Sequence, residues 1–445
     1  MRSEHSGSSL PASSPSPLPS HSPPTPPSPS PPRLRFAGVP DRRHVVPGTG
    51  GSIWRWMLCR IMEELAQPPF EVVLWTGERV RGAASEPVAR ISIASASALV
   101  RLALDPHLQF GELYASGELE VDGDLPTLLV EIYRGAFRER GRLPWLRALA
   151  QRLHRARSNS LDGSRENIQQ HYDLGNAFYA EWLGETMAYT CAYYPDPLGA
   201  LDAAQVAKMD HVCRKLRLQP GETLVEAGCG WGSFALHAAR TCGVRVRAFN
   251  ISREQVVHAR RLAREAGLAG QVEFVEDDYR NIEGRHDAFV SIGMLEHVGV
   301  ENFPALGEVI HRVLAPSGRG LIHTIGRTRP QPMNPWIERR IFPGARPPSL
   351  GEMMSIFESR EFAVVDVENL RLHYARTLAH WLERFDAADA RIEAMFDRRF
   401  VRMWRLYLAG SIASFRTGDL QLYQVLFTAR GSDDIAWTRA HLYGR

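Results

Sequence analysis

Three alternating glycines and a nearby carboxylate form the most distinctive chemical pattern in this chain. Gly228, Gly230 and Gly232 follow an apolar run, and Glu226 lies two residues before the first of them. Glycine at such spacings permits positive φ and lets the backbone approach a ligand closely, while a helix N-terminus offers unpaired N–H groups. The pattern therefore predicts a strand, a tight turn and a helix start that bind a nucleotide-like ligand.

The spacing of these glycines narrows the ligand class. It is Gly-x-Gly-x-Gly, whereas dinucleotide-binding proteins use Gly-x-Gly-x-x-Gly. Together with the preceding acid, the pattern resembles that of S-adenosylmethionine methyltransferases. The alternative is a strand-to-helix turn in which the glycines are incidental.

Other polar residues also follow apolar runs, which indicates how the site is positioned. Asn250, Asp278 and Glu296 each come after such a run, and helix-like segments such as 253–266 separate the runs. Alternating strands and helices predict an α/β fold with a parallel sheet and helices on both faces. In that fold the ligand lies outside the carboxyl ends of the strands, where these residues would meet.

Between residues 165 and about 430 the chain resembles the cyclopropane-fatty-acyl-phospholipid synthase family, which is related to the mycolic acid cyclopropane synthases. The resemblance implies a class I S-adenosylmethionine methyltransferase (Rossmann-like) domain with a helical cap. The matching motifs, besides the glycine loop, are His171-Tyr-Asp-Leu-Gly-Asn176, Tyr189-Thr-Cys-Ala-Tyr193, Gly293-Met-Leu-Glu-His-Val-Gly299, His323-Thr-Ile-Gly326, Ile341-Phe-Pro-Gly344, Glu383-Arg-Phe385 and Gln421-Leu-Tyr-Gln424.

The resemblance implies a set of residues that bind S-adenosylmethionine. Glu226 would face its amino-acid end, although most family members have aspartate there. Asp278 would accept from the adenine amino group. A satisfied polar group in the core is the alternative for each residue. The full set is Tyr189, Thr190, Glu226, Gly228, Cys229, Gly230, Trp231, Gly232, Asn250, Gln255, Asp278 and Tyr279.

The resemblance also implies how the reaction is completed. Addition of a methyl cation equivalent to an alkene leaves a carbocation, so the enzyme must supply a base in an apolar place and exclude water. The family uses a bound bicarbonate ion as that base. Glu296 can accept from its hydroxyl, and His323 can donate to its oxygens. The residues that match the bicarbonate site are Cys191, Glu296, His323, Ile325 and Tyr374.

Two observations concern cysteine. Cys191 is interpreted as a weak donor and spacer, with thiol catalysis as the alternative. Ser411 stands where the family often has cysteine. Because proton removal by bicarbonate needs no covalent nucleophile, we expect Ser411 to be tolerated and to line the acyl channel. The five cysteines lack the paired spacing of a zinc site, and no metal is predicted.

The composition divides the chain into four predicted segments. Residues 1–56 are rich in proline and serine and should form a disordered tail. Residues 57–133 resemble a small α+β N-terminal domain associated with lipid engagement, for which a purely structural role is the alternative. Residues 134–164 are predicted as a basic amphipathic linker that lies on anionic lipid, or as a solvated linker helix. Residues 165–445 would be the methyltransferase domain.

Composition also limits the partners and the location. No run of eighteen apolar residues is found, so we expect no membrane span, and we expect no secretory signal. A net charge of +3 is too small to argue for nucleic acid. We therefore expect a cytoplasmic protein on the inner membrane surface that acts on a phospholipid bilayer with unsaturated acyl chains. A homodimer is left open.

The sequence thus favours a synthase that converts cis double bonds of phospholipid acyl chains into cyclopropanes. Retention of all five bicarbonate-site residues favours the ring. The first alternative is a lipid methyltransferase of the same fold that leaves a methyl-branched or methylene product. The others are a methyltransferase for small molecules, because the fold alone does not choose a substrate, and a cofactor-binding lipid sensor without catalysis.

Overall fold

The computed structural model describes residues 52–65, 67–82, 86–138 and 174–443. The predicted tail therefore lies almost entirely outside the described residues, as do most of the predicted linker and the start of the motif at His171. Within the described ranges, a helix begins at Ile53, before the expected end of the tail. Another helix continues to Arg138, beyond the expected start of the linker.

The N-terminal part of the described chain is a small α+β unit. Its sheet has the strand order β2-β1-β3-β4, in which β1 and β3 are parallel and the other two pairs are antiparallel. Its elements are α1 (Ile53–Glu64), β1 (Glu71–Leu74), β2 (Arg79–Arg81), β3 (Ala89–Ile93), α2 (Ala96–Leu104), α3 (Pro106–Ser116), β4 (Leu119–Gly123) and α4 (Leu125–Arg138).

The rest of the chain alternates strands and helices and then inserts a group of helices before its last strand. The helices are α5 (Asn176–Ala180), α6 (Leu201–Leu216), α7 (Ser233–Cys242), α8 (Arg253–Glu265), α9 (Phe303–Val313), α10 (Pro335–Arg340), α11 (Leu350–Glu358), α12 (Arg371–Ala387), α13 (Asp389–Met395), α14 (Arg398–Thr417) and α15 (Ala440–Tyr443). The strands are β5 (Thr223–Ala227), β6 (Arg245–Asn250), β7 (Val272–Glu276), β8 (His286–Ile292), β9 (Leu314–Gly326), β10 (Ala363–Asn369) and β11 (Gln421–Thr428).

These strands form a sheet with the order β10-β11-β9-β8-β5-β6-β7. The five strands from β9 to β7 are parallel, as expected from the sequence. The sequence did not reveal that one strand of this sheet, β11, runs antiparallel to both β9 and β10. β11 follows α14 in the chain and is inserted between β9 and β10. It begins at the edge of the sheet where these two strands end, so it runs in the opposite direction.

Three hydrophobic clusters hold the described chain together. Two of them occupy the opposite faces of the seven-stranded sheet, as a doubly covered sheet requires. The third is continuous from the N-terminal sheet to α12 and α14 and includes Trp182, Trp381 and Trp404. The N-terminal unit and the helices that cover the sheet's edge therefore share one core. No helix in the described ranges is long and apolar enough to cross a membrane.

Polar contacts fix the N-terminal unit on α14. The guanidinium of Arg402 lies 4.4 Å from the ring centroid of Tyr114, and it donates to the carbonyl oxygens of Tyr114 at 2.6 Å and Leu119 at 3.1 Å. Glu112 forms ion pairs with Arg340 of α10 and Arg399 of α14. The N-terminal unit thus contacts α14, which also carries part of the site described below.

Candidate active site

The glycine loop joins β5 to α7 at the carboxyl edge of the sheet. The N–H groups of Gly228 and Cys229 both donate to the carbonyl oxygen of Phe249, at 2.9 and 3.0 Å, which folds the loop over the end of β6. Gly232 has a φ of +86°, and a Cβ there would lie 2.6 Å from the Phe274 ring. Gly230 has a φ of +54° and faces open space. Gly232 is thus required for packing, whereas Gly230 leaves room for a ligand.

Asn250 and Gln255 lie beside this loop and contact each other. The Asn250 amide donates to the Gly230 carbonyl oxygen at 3.1 Å and to Gln255 Oε1 at 2.7 Å. The amide nitrogen of Gln255 is buried and has no hydrogen-bond partner among the described residues. Asn250 therefore holds the loop in place, and Gln255 retains a donor for a ligand.

Glu226 is a buried carboxyl group below the loop. Burial raises its pKa to about 8, and the backbone N–H of Ala235 in the first turn of α7 partly opposes that shift. Its Oε2 atom has no partner in the described chain. The sequence-based prediction had Glu226 facing the ammonium group of the cofactor. Such a ligand would supply the partner that this oxygen lacks.

Asp278 and Tyr279 lie beyond the end of β7. Asp278 Oδ1 accepts from the backbone N–H of Arg280 at 2.9 Å, and Oδ2 lies 3.3 Å from the Arg280 guanidinium. That guanidinium also lies 5.0 Å from the Tyr279 ring centroid. If Asp278 accepts from adenine as predicted, the same carboxylate must also keep its contacts with Arg280.

Tyr189, Thr190 and Cys191 lie in a segment without regular secondary structure, so side chains from neighbouring helices position it. Gln205 Nε2 donates to the carbonyl oxygen of Thr190 at 2.9 Å, and Lys208 Nζ donates to Thr190 Oγ1 at 3.0 Å. Both side chains come from the buried face of α6. The two residues were missed by sequence reasoning, since a polar stripe on a helix ordinarily faces solvent.

Lys208 is notable for its surroundings. Its side chain is 1% exposed, and burial lowers its pKa to about 8. Within the described ranges it forms no ion pair with a carboxylate, although the Cys191 thiol and Glu226 are near enough to raise its pKa. Lys208 therefore lies between the two predicted halves of the site, where its charge acts on Glu226 of one half and on His323 of the other.

Tyr189 is held by an aromatic cluster. Its hydroxyl lies 2.8 Å from that of Tyr407 on α14. Its ring centroid lies 5.5 Å from that of Tyr179 and 5.4 Å from that of Trp381. Tyr179 in turn lies 5.0 Å from Trp231 of the glycine loop. Aromatic packing thus connects the predicted cap residues with the loop.

Glu296 and Ile325 meet at the predicted bicarbonate site. Glu296 lies in a short 3-10 turn after β8, and its Oε1 accepts from the backbone N–H of Ile325 at 2.6 Å. Burial raises the pKa of Glu296 to about 7. Its Oε2 atom is buried and lacks a hydrogen-bond partner within the described residues. The carboxyl group therefore has one fixed oxygen and one oxygen available to a ligand.

His323 is on the same strand as Ile325 and, two residues away, on the same face. Its Nδ1 lies 3.0 Å from Gln424 Nε2, whereas its Nε2 is buried and unpartnered in the described chain. Burial, reinforced by the charge of Lys208, holds the pKa of this imidazole well below its usual value. His323 thus has one open nitrogen and lies two residues before Ile325, whose backbone N–H holds Glu296.

Cys191 and Tyr374 both contact the backbone of Leu370. The carbonyl oxygen of Leu370 lies 4.0 Å from the Cys191 thiol and accepts from the Tyr374 N–H at 3.2 Å. The Leu370 N–H donates to Leu422, which is directly opposite Ile325 in the sheet. These contacts connect Cys191 and Tyr374, through Leu370 and Leu422, to the part of β9 that holds Glu296. The Cys191 thiol donates to the Ala192 carbonyl at 3.1 Å, and burial raises its pKa above the usual range, which opposes a nucleophilic role.

The remaining predicted residue, Ser411, lies half-buried on α14. The neighbouring positions Tyr407 and Leu408 of this helix are buried in the core shared with the N-terminal unit. The contribution of Ser411 to an acyl channel stays a prediction.

This chain is similar in sequence to several known proteins. Residues 159–425 match the family model of mycolic acid cyclopropane synthetases, and residues 57–138 match a domain family of unknown function. A probable fatty acid methyltransferase of Pseudomonas putida is 35% identical over 84% of this chain and 96% of its own length. The cyclopropane-fatty-acyl-phospholipid synthase of Escherichia coli is 38% identical over 58% of this chain and 67% of its own.

Solved structures give the same result. Mycolic acid cyclopropane synthase CmaA1, crystallised with SAH and CTAB, is 31% identical and has a TM-score of 0.57, covering 59% of this chain and 98% of its own. The resemblance noted from the sequence motifs and the class I, Rossmann-like fold are confirmed by these matches. The roles of the individual site residues stay predictions.

Proposed function

This chain belongs to the mycolic acid cyclopropane synthetase family and is an S-adenosylmethionine-dependent methyltransferase. From that premise we propose that it converts cis double bonds of phospholipid acyl chains into cyclopropanes, with a bicarbonate ion as proton acceptor. The observation that carries the proposal is the pair of open polar atoms, Glu296 Oε2 and His323 Nε2, in an otherwise buried site.

A bicarbonate ion has the hydrogen-bonding groups that these two atoms need. Its hydroxyl can donate to Glu296 Oε2, and one of its oxygens can accept from a protonated His323 Nε2. Buried polar atoms are nearly always hydrogen-bonded in native proteins, so a bound ion that met both open atoms would supply the partners that they lack. The fixed N–H of Ile325 keeps the Glu296 carboxyl group in place.

The residues around the glycine loop fit S-adenosylmethionine. Gly230 leaves open space for it, Glu226 has an unpartnered oxygen for an ammonium group, and Gln255 has an unpartnered amide. When bound, this cofactor supplies an electrophilic methyl group. The protein's own contribution is to hold the proton acceptor close to the reacting carbon and to exclude water by the aromatic cluster around Tyr189.

A lipid substrate accounts for the arrangement of the N-terminal unit. That unit packs on α14, which carries Tyr407 and half-buried Ser411. We place the unit at an anionic membrane surface on the cytoplasmic side, with acyl chains entering beside α14. The basic linker, which lies outside the described residues, would add to this attraction.

The test is incubation of purified protein with labelled S-adenosylmethionine and liposomes of cis-monounsaturated phospholipid, followed by fatty-acid methyl ester analysis. Liposomes with saturated chains are the control. Labelled cyclopropane ester from the unsaturated liposomes alone is the expected result. Absence of label in lipid, while the protein binds the cofactor, would contradict the proposal.

A second product class is favoured by the names of two relatives. The Pseudomonas putida relative is a probable fatty acid methyltransferase, and a relative in Mycobacterium tuberculosis, 35% identical over 71% of this chain, is a tuberculostearic acid methyltransferase. A methylene-branched product has the same mass as the ring. Mild catalytic hydrogenation of the product ester separates them, because the methylene double bond takes up hydrogen under conditions that leave the ring intact.

A further inference from the structure

His323 belongs to a row of polar side chains that crosses three neighbouring strands. Gln424 of β11 is directly opposite His323 of β9, and Glu368 of β10 is directly opposite Gln424. Directly opposed residues project from the same face of a sheet. Gln424 is fully buried, and its amide is the partner of His323 Nδ1 at 3.0 Å.

We propose that Gln424 is a positioning residue that fixes the proton of His323 on Nε2. This inference rests on the proposed function, since it assigns a task to the same site. With its nitrogen turned toward His323, as the 3.0 Å contact has it, the Gln424 amide can only donate, and Nδ1 must then accept. In a neutral imidazole the proton then resides on Nε2, which is the open nitrogen of the site. Gln424 therefore turns His323 into a hydrogen-bond donor for an anion.

The charges around His323 support a neutral ring. Lys208, Lys215 and His211, all on α6, face it and disfavour the imidazolium, whereas Glu368 of β10 favours it. Glu368 is itself engaged, with Lys215 and His211 both at 2.8 Å from its Oε2. The two lysines of α6 thus outweigh the single carboxylate of Glu368, which already pairs with Lys215.

A fixed neutral donor suits a site whose ligand must accept a proton. A neutral imidazole N–H is not acidic at physiological pH, so it orients the ion without giving up its own proton. If Nε2 lacked the proton, it would repel the ion's oxygens and compete with the ion as a base. Gln424 thereby ensures that the bound ion, and not His323, is the base that accepts the proton.

The direct test is NMR of the wild-type protein labelled with 15N-histidine, with His323→Asn used to assign the signal. The expected signals show a protonated Nε2 and an unprotonated Nδ1 from about pH 6 to about pH 8. A proton on Nδ1, or a doubly protonated ring, would overturn the proposal. Because this measurement needs no substrate, it is decisive even if the protein proves not to modify lipids.

Two variants test the consequence for activity. In Gln424→Glu the new carboxylate accepts from Nδ1–H and raises the pKa of His323, so Nε2–H is lost only as pH rises. We expect a descending limb in the pH profile that the wild type lacks. In Gln424→Leu the bicarbonate concentration for half-maximal activity should rise about tenfold, with cofactor affinity unchanged.

Gln421→Leu is the matched control. Gln421 is on the same strand, three residues earlier and therefore on the opposite face, where its amide donates to the Gly418 carbonyl at 2.7 Å. We expect this variant to lose stability without any change in the bicarbonate requirement or the pH profile. An equal effect of Gln421→Leu and Gln424→Leu on the bicarbonate requirement would reduce Gln424 to a structural residue and contradict the proposal.

Discussion

Glu296 and Ile325 are joined by a 2.6 Å hydrogen bond from the backbone N–H of Ile325 to Glu296 Oε1. The bond commits one oxygen of the carboxyl group to β9 and leaves Oε2 facing the site without a partner in the described residues. The carboxyl group is thus held rigidly, although it lies in a short turn between β8 and α9. This relationship makes Glu296 the first residue to test.

Glu296→Gln should lose at least about 100-fold in the rate of lipid modification, the size typical of a lost acid–base group. The variant keeps an oxygen for the Ile325 N–H but replaces the open acceptor with a donor. Cofactor affinity, measured by calorimetry, should stay within about twofold because the glycine loop is untouched. Glu301→Gln, at an exposed position shortly after this turn, is the control. Full activity of Glu296→Gln would remove this residue from the mechanism.

Activity should rise with pH through about 7. Burial raises the pKa of Glu296 to about 7, so its carboxyl group is mostly protonated below that value and cannot accept the hydroxyl of bicarbonate. Initial rates at constant bicarbonate concentration, with Glu296→Asp for comparison, would show this ascending limb. A wild-type rate that is flat between about pH 5 and about pH 8 would mean that protonation of Glu296 does not limit the reaction.

Glu226→Gln should become more stable relative to the wild type as pH rises. The pKa of Glu226 is raised from 4.5 to about 8, so the folded wild type holds a proton that the unfolded chain releases in this range. The stability that this proton provides is therefore lost between about pH 4.5 and about pH 8, by at most about 1.4 kcal/mol per pH unit. Urea unfolding of both proteins across this range measures the difference. A constant difference would contradict burial of Glu226.

Lys208→Met should weaken cofactor binding about tenfold while leaving the free energy of unfolding unchanged or higher. The substitution removes a buried charge without a carboxylate partner, which costs little stability, but it frees the Thr190 hydroxyl. Lys215→Met is the matched control on the same helix. It breaks an ion pair with Glu368 and should lower stability by about 2 kcal/mol with cofactor affinity unchanged. Weaker cofactor binding in Lys215→Met and lower stability in Lys208→Met would contradict these assignments.

The turn and the strand ends could be predicted from the sequence because their signals are local. Three glycines with positive φ between β5 and α7 match the spacing of the loop, and Glu296 follows β8 as its apolar run indicated. The residues that position Thr190 could not be predicted. A helix with polar residues at regular spacing ordinarily turns them to solvent, yet α6 buries Gln205 and Lys208 and exposes 41% of Val206.

The antiparallel strand β11 was also beyond sequence reasoning. Its residues are almost all buried, as in the parallel strands, so its burial pattern does not reveal its direction. Direction depends on the path through α12, α13 and α14, and this path is a tertiary property. Gln424 could be seen as part of a motif, but its pairing with His323 depends on the register between β11 and β9.

The segment from Ala188 to Ala192 carries residues predicted for both the cofactor and the chemistry, yet it has no backbone pairing in a helix or strand. Side chains from α6, α12 and α14 hold it instead, through Thr190, Ala192 and Tyr189 respectively. Under the proposed function, acyl-chain preference and cofactor affinity would therefore not be independent traits. Selection for a new chain length that repacked α12 or α14 would also change how tightly the cofactor is bound, and we expect compensating substitutions on α6.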